Sequence, residues 1–170
     1  KGYPARAAEV LRSAEKLAPL AEPEILRGLA QQRSEVAYAL GDRATAILEA
    51  RRTELPWMER IAGRMEANPG GRRVLLEVPF VRQHHKTCAP ATLTSLGRFW
   101  GKEVSHVEIA EAICYDGTPA HSERKWATEH GWYAREFTIT WASAVALLDA
   151  GIPFTMTTVS VLGGHLQAIA

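Results

Sequence analysis

The chain has 170 residues, 46% of them hydrophobic, and a formal charge of +1 at pH 7. This composition fits a globular protein with a buried core, and it excludes a basic nucleic-acid-binding tail or an acidic tract. No apolar run approaches the ~18 residues that span a bilayer, so we expect no membrane span and no nucleic-acid partner. Two cysteines are too few for a disulfide-stapled secreted scaffold. We interpret both as thiols and expect a cytoplasmic protein.

The first part of the chain, residues 1–68, carries the pattern of helices. Residues 5–67 are rich in Ala, Leu, Glu and Arg and poor in Gly. Apolar residues recur at helical intervals, a turn is predicted at Gly41-Asp42, and Pro23 and Pro56 suit first helical turns. The sequence therefore predicts an all-α helical-hairpin segment.

This helical segment resembles tetratricopeptide repeats. Small residues stand at packing positions, "YALGD" lies between two helices, and a proline follows the pair. The resemblance covers about one and a half to two repeats and implies a protein-binding surface. It also implies further repeats before Lys1, since stacks of fewer than about three rarely stand alone. A small helical extension without repeat ancestry is the alternative.

The second part of the chain, residues 74–170, mixes helices and strands. The stretch "ANPGGRR", residues 67–73, stops any helix and marks the boundary. Helices and strands then segregate along the chain, which predicts an α+β domain. The predicted strands are 72–81, 132–139, 152–161 and 164–170, and the predicted helices are 89–100, one capped by Ser105, one capped by Ser122 and ended by Gly131, and one capped by Thr140.

Cys88 stands where one of these helices begins. Pro90 is tolerated only in a first turn, so the helix must start near Cys88. Unpaired N–H groups at a helix start favour the thiolate, which is the nucleophilic form of cysteine. The alternatives are a buried structural thiol, which is our interpretation of Cys114, and a zinc ligand beside His84 and His85, for which no further ligands are found.

A partner imidazole must come from elsewhere in the fold. His165 follows Gly163-Gly164 and opens an apolar strand, which leaves backbone room for a side chain that serves a cleft. A histidine satisfied within its strand is the alternative. The remaining histidines are less suitable: two lie on the loop before Cys88, and three lie in polar helical stretches and are expected at the surface (His84, His85, His106, His121 and His130).

Gln83 lies five residues before Cys88. Its amide and the backbone N–H of Cys88 could both donate to the oxyanion formed when a carbonyl is attacked, and such donors contribute about 3 kcal/mol each. An ordinary surface glutamine is the alternative. The tryptophans are expected in the core, although Trp132 and Trp141 could line a substrate groove.

The stretches "VPFVRQHHKTCAPATLTSLGRFWG", "VSHVEIAEAI", "GIPFTMTTV" and "GGHLQAIA" resemble the papain-like bacteriocin-processing (double-glycine leader) cysteine peptidases and their relatives. The resemblance covers about residues 74–170. It implies a papain-like cysteine peptidase fold, with a helix cluster and an antiparallel sheet. It also implies Cys88 as nucleophile, His165 as general base and Gln83 as oxyanion donor, acting on a peptide or protein substrate without a metal or cofactor.

The sequence departs from this family in two ways. Ala89 stands where relatives usually have Gly, and the third catalytic residue, an Asp after the histidine strand, is expected beyond Ala170. The best-known relatives are fused to transporters, which nothing in this sequence indicates, so leader peptides are not carried over as substrates. Two other functions remain open: a catalytically degenerate interaction module that uses the repeat-like helices, or an acyl or amide transferase on the same fold.

Overall fold

The computed structural model describes residues 3–18, 20–160 and 163–170. It divides the chain into two compact units, Lys1–Arg72 and Arg73–Ala170. None of the described helices is long and apolar enough to cross a membrane.

The described part of the first unit consists of four helices. Gly41, in a left-handed conformation with φ 81°, ends one of them, and the Asp42 side chain caps the next by accepting from the Thr45 N–H. Pro23 and Pro56 each start a helix, because a proline has no N–H to lose there. These predictions are confirmed. The helices are α1 (Tyr3–Leu17), α2 (Pro23–Leu40), α3 (Arg43–Arg52) and α4 (Pro56–Ala67).

Small side chains and ion pairs hold this unit together. Ala50 and Ala62 are fully buried around Met58, which lets α3 and α4 approach closely. On another face, Glu15 of α1 forms salt bridges with Arg33 of α2 and with Arg52 of α3. The helical segment is therefore a packed unit with its own core.

The second unit contains α5 (Cys88–Phe99), α6 (His106–Ile113), α7 (Ala120–Glu129), α8 (Trp141–Asp149), β1 (Phe154–Ser160) and β2 (Gly163–Ile169). The two strands pair antiparallel, with Thr158 opposite His165 and Thr157 opposite Leu166. Helices and a small sheet together confirm the α+β class.

The core of the second unit lies among α5, α6 and α7. Leu93, Ile109, Trp126 and Ala127 are buried there, and Trp132 packs against them. Gly97 permits a close approach at this point, because a Cβ on it would lie 2.5 Å from Cγ2 of Val104 and 3.2 Å from the Trp132 ring.

Two predicted strands are wrong. Residues 72–81 and 132–139 do not form strands, although burial alternates from residue 74 to residue 78. A strand is defined by its ladder of backbone hydrogen bonds, and alternating side chains alone do not supply a partner. Val161, the predicted end of one strand, lies outside the described residues.

Two of the three helix caps predicted in this unit are confirmed. Ser105 accepts from the Glu108 N–H, and Thr140 forms a reciprocal capping box with Ser143. Ser122 is not a cap: α7 already begins at Ala120, and Pro119 stands at the cap position without a side-chain hydrogen bond. The proline ring presets a φ of −64°, which lets the helix start earlier.

Candidate active site

Cys88 is the first residue of α5, as predicted. Its side chain is partly buried and forms no disulfide. The residues on both sides of it, Thr87, Ala89 and Pro90, are buried. The thiol therefore lies at the rim of the packed unit, where it is held by buried neighbours but is still accessible.

The start of α5 leaves backbone donors free next to this thiol. Within the described part of the chain, the N–H groups of Cys88 and Ala89 have no hydrogen-bond acceptor, and Pro90 has no N–H. The Thr87 hydroxyl does not cap the helix. The free N–H groups concentrate the positive end of the helix dipole beside the sulfur, which is where a thiolate or an oxyanion would be stabilised.

Thr87 does not cap α5, although it stands at the cap position. A threonine there normally accepts from the second or third N–H of the helix; Pro90 removes the third of these donors, and the second, of Ala89, has no acceptor among the described residues. The Thr87 hydroxyl instead interacts with His84 and His106.

The structure packs the strand that carries His165 against the helix that carries Cys88. The Thr92 hydroxyl donates to the carbonyl of Leu166 over 3.2 Å, and Leu166 is buried. Thr92 lies four residues after Cys88, about 6 Å along the helix axis, and Leu166 directly follows His165. Cys88 therefore lies about one helical turn from this contact, and His165 lies one residue from it.

The catalytic candidates themselves are not joined. Among the residues that the structure describes, no hydrogen bond links Cys88, His165 and Gln83 to one another. The side chain of His165 is exposed, and Gln83 is exposed on the loop before α5. The structure thus brings together the elements that carry Cys88 and His165, but it does not show the side chains in contact.

Sequence reasoning missed His106. We expected it at the surface, but it is only 8% exposed, and its Nε2 lies 2.9 Å from the Thr87 hydroxyl. Its spacing to Ile109 and Ile113, at i, i+3 and i+7, matches the buried face of α6, and Ile109 belongs to the core. The helical period, given the Ser105 cap, could have identified His106 as an inward-facing residue.

A second imidazole stacks on His106. The rings of His84 and His106 lie 5.2 Å apart and are nearly parallel. Burial, and then the nearby His84 and Arg98, lower the pKa of His106 below its ordinary value, while the interaction with Thr87 acts in the opposite direction. His106 is therefore favoured as a neutral ring, which can take part in a defined hydrogen bond.

The remaining residues considered from the sequence are Cys114, two tryptophans and the possible metal ligands. Cys114 is partly buried, and its thiol donates to the carbonyl of Lys86. Trp132 packs on the core, whereas Trp141 is 79% exposed. Over residues 3–18, 20–160 and 163–170, no three His, Cys, Asp or Glu side chains come together as a group that could hold a metal ion.

Comparison with known proteins supplies the family of the second unit. No curated protein and no solved structure gives a significant match. A model of the Peptidase_C39 like family matches residues 75–170, a range that includes α5, the 84–87 turn before it and both strands. With a cysteine at the head of α5 and β2 packed on that helix, the chain belongs to the Peptidase_C39-like family.

Proposed function

We propose that the second unit, residues 74–170, is a papain-like cysteine peptidase domain that hydrolyses peptide or amide bonds. Cys88 is the nucleophile, His165 the general base and Gln83 an oxyanion donor. The observation that carries the proposal is the position of Cys88 at the first residue of α5, beside two free backbone N–H groups, in a chain of a peptidase-like family.

The proposed reaction has two steps. His165 takes the proton of the Cys88 thiol, and the sulfur attacks the substrate carbonyl to form an S–C bond and an oxyanion. The Cys88 N–H and the Gln83 amide donate to that oxyanion. The C–N bond then breaks, and the protonated His165 gives its proton to the leaving amine. Water, deprotonated by His165, attacks the thioester, which releases the acid and restores the thiol.

The first unit, residues 1–68, is proposed as a tetratricopeptide-repeat-like segment that binds a protein partner or presents the substrate. Its support is a groove between α1 and α2, which Ala7, Val10 and Leu11 line from one helix and Val36 from the other. Val10 is 57% exposed, so an apolar side chain of this groove is accessible to a partner. The free thiols of Cys88 and Cys114 suit the cytoplasmic location that we propose.

Cleavage of a quenched fluorescent peptide library tests the proposed chemistry. We expect Cys88→Ala to abolish cleavage, whereas Cys114→Ser, which removes the other thiol but keeps a donor for the Lys86 carbonyl, should retain it. His165→Ala should remove most activity, and the matched control His121→Ala, at an exposed position on α7, should not. Gln83→Ala should lower kcat by about 10²–10³-fold, as expected for loss of one oxyanion donor.

Equal cleavage by the parent chain and by Cys88→Ala would contradict the proposal. An inactive chain that nevertheless captures a protein partner through the α1–α2 groove, and loses it on Val10→Asp, would instead favour the interaction module. Trapping of the Cys88 thioester by an added amine in preference to water would identify the transferase.

A further inference from the structure

The turn that delivers Cys88 is closed by Thr87. The His84 N–H donates to Oγ1 of Thr87 over 2.9 Å, and the same hydroxyl donates to the His84 carbonyl over 3.1 Å. Thr87 is 9% exposed. Because a hydroxyl has one hydrogen, its donor capacity is used within the turn.

This use of the hydroxyl determines the role of His106. Its Nε2 lies 2.9 Å from Oγ1 of Thr87, and the same oxygen lies 3.1 Å from the His84 carbonyl. With the hydroxyl hydrogen on that carbonyl, the ring is the donor and Nε2 carries the proton. The flat stack of His84 on the same ring fixes its orientation.

The C-terminal end of α6 also contacts the turn before α5. The thiol of Cys114, the residue after α6, donates to the carbonyl of Lys86 over 3.3 Å, and the Lys86 side chain pairs with Asp116. Lys86 itself has a φ of 58°, a left-handed conformation that costs a residue with a Cβ about 1–2 kcal/mol. Such a backbone persists only where its surroundings impose it.

We infer that α6 positions Cys88: His106, acting through Thr87, is a positioning residue for the nucleophile. The inference rests on the proposed function of Cys88. The Thr87–His106 bond keeps the hydroxyl away from the first N–H groups of α5, which remain free beside the sulfur. Loss of the bond lets the turn relax and moves the thiol relative to those donors.

Alkylation of Cys88 by iodoacetamide, read by mass spectrometry with added N-acetylcysteine as the reference thiol, tests this inference. Thr87→Val and His106→Leu should slow Cys88 alkylation at neutral pH by about tenfold, because the sulfur is no longer held beside the free N–H groups of α5. Thr87→Ser and His106→Gln keep a hydroxyl and an N–H donor, and they should stay within about twofold of the parent chain. An unchanged alkylation rate in both Thr87→Val and His106→Leu would overturn the inference.

A measurement on the unaltered chain covers the case in which those variants do not fold. Nitrogen-15 NMR of the histidine rings should show neutral His106 with its proton on Nε2; a proton on Nδ1 alone would overturn the inference. Alkylation does not depend on peptide cleavage. A chain that cleaves nothing, but whose Cys88 alkylation still slows in Thr87→Val, would overturn the proposed function and support the positioning role.

Discussion

The hydroxyl of Thr92 on α5 donates a hydrogen bond to the carbonyl oxygen of Leu166 on β2. The bond is buried and joins positions that are 74 residues apart in the chain. It connects the helix that begins with Cys88 to the strand that carries His165. The relative position of the two proposed catalytic groups therefore depends on a contact that neither of them makes.

Replacement of Thr92 by Val should remove the hydrogen bond to Leu166 and leave the packing of α5 unchanged, because the two side chains have nearly the same shape. The Leu166 carbonyl would lose its partner, and an unsatisfied buried acceptor costs about 1–3 kcal/mol. Urea unfolding measures this loss. The matched control is Thr94→Val: Thr94 is fully buried but donates to Pro90 within its own helix. Equal stability of the two variants would show that the α5–β2 bond contributes nothing specific.

Peptide cleavage by the Thr92→Val and Thr94→Val variants extends the test to the candidate active site. If the contact positions His165, Thr92→Val should lower kcat more than Thr94→Val does, at a temperature where both variants are folded. A loss of kcat that is the same in both variants would argue against a positioning role for this bond.

Gly97 offers a test of close packing in the core of the second unit. Gly97→Ala gains about 1 kcal/mol of helix propensity, but the new methyl group meets Val104 at 2.5 Å and Trp132 at 3.2 Å. Overpacking typically costs about 1–3 kcal/mol, so we expect a net loss in the free energy of unfolding. Gly63→Ala in α4 meets nothing within 4 Å and should be stabilising. A stabilised Gly97→Ala variant would contradict the packing described for α5.

The buried His106 should make stability depend on pH in a defined window. Its ordinary pKa is 6.5, and the folded state lowers it through burial, His84 and Arg98. Above that pH the ring is neutral in both states and contributes no pH dependence. As the pH falls below 6.5, the unfolded chain binds the proton before the folded chain does, so the free energy of unfolding decreases.

Urea unfolding at about pH 7.5 and pH 5.5 measures this effect. His106→Gln should reduce the drop in stability between the two pH values, whereas His121→Gln, at an exposed position, should leave it unchanged. The carboxyl groups with lowered pKa, Glu15, Asp42 and Asp116, start from ordinary values of 4.5 or less and act below this window. An undiminished drop in His106→Gln would contradict the assignment.

The two thiols should differ in reactivity in the parent chain. The S–H of Cys114 donates to the Lys86 carbonyl, whereas Cys88 lies beside free N–H groups. We expect iodoacetamide at about pH 6 to label Cys88 at least about tenfold faster. In urea, where the helix start is lost, the rates should converge. Equal, slow labelling of both in the folded chain would count against a nucleophilic Cys88.

Local signals in the sequence predicted local structure well. Pro90 fixed the start of α5, Ser105 and Thr140 marked their helices, and Gly41 ended α2. Each of these signals acts within about one turn of the chain, where backbone sterics and a few hydrogen bonds decide the outcome.

Non-local structure was harder to predict. The residues at 132–139 alternate as a strand does, but pairing depends on a partner that no local pattern specifies. His106 was misplaced because the polar residues around it describe only the outer face of α6, and its inward face becomes clear only with the exact helix start at Ser105. The stack of His84 on His106 joins residues 22 positions apart, and no spacing rule predicts it.

Pro90 has an effect beyond setting where α5 begins. An ordinary residue at position 90 would have a backbone N–H. The Thr87 hydroxyl could then accept a hydrogen bond from that N–H and leave His106. The missing hydrogen on one ring nitrogen thus selects between two conformations of a neighbouring side chain. A substitution of Pro90 that increases helix propensity is therefore expected to weaken the contact between α6 and the turn before α5.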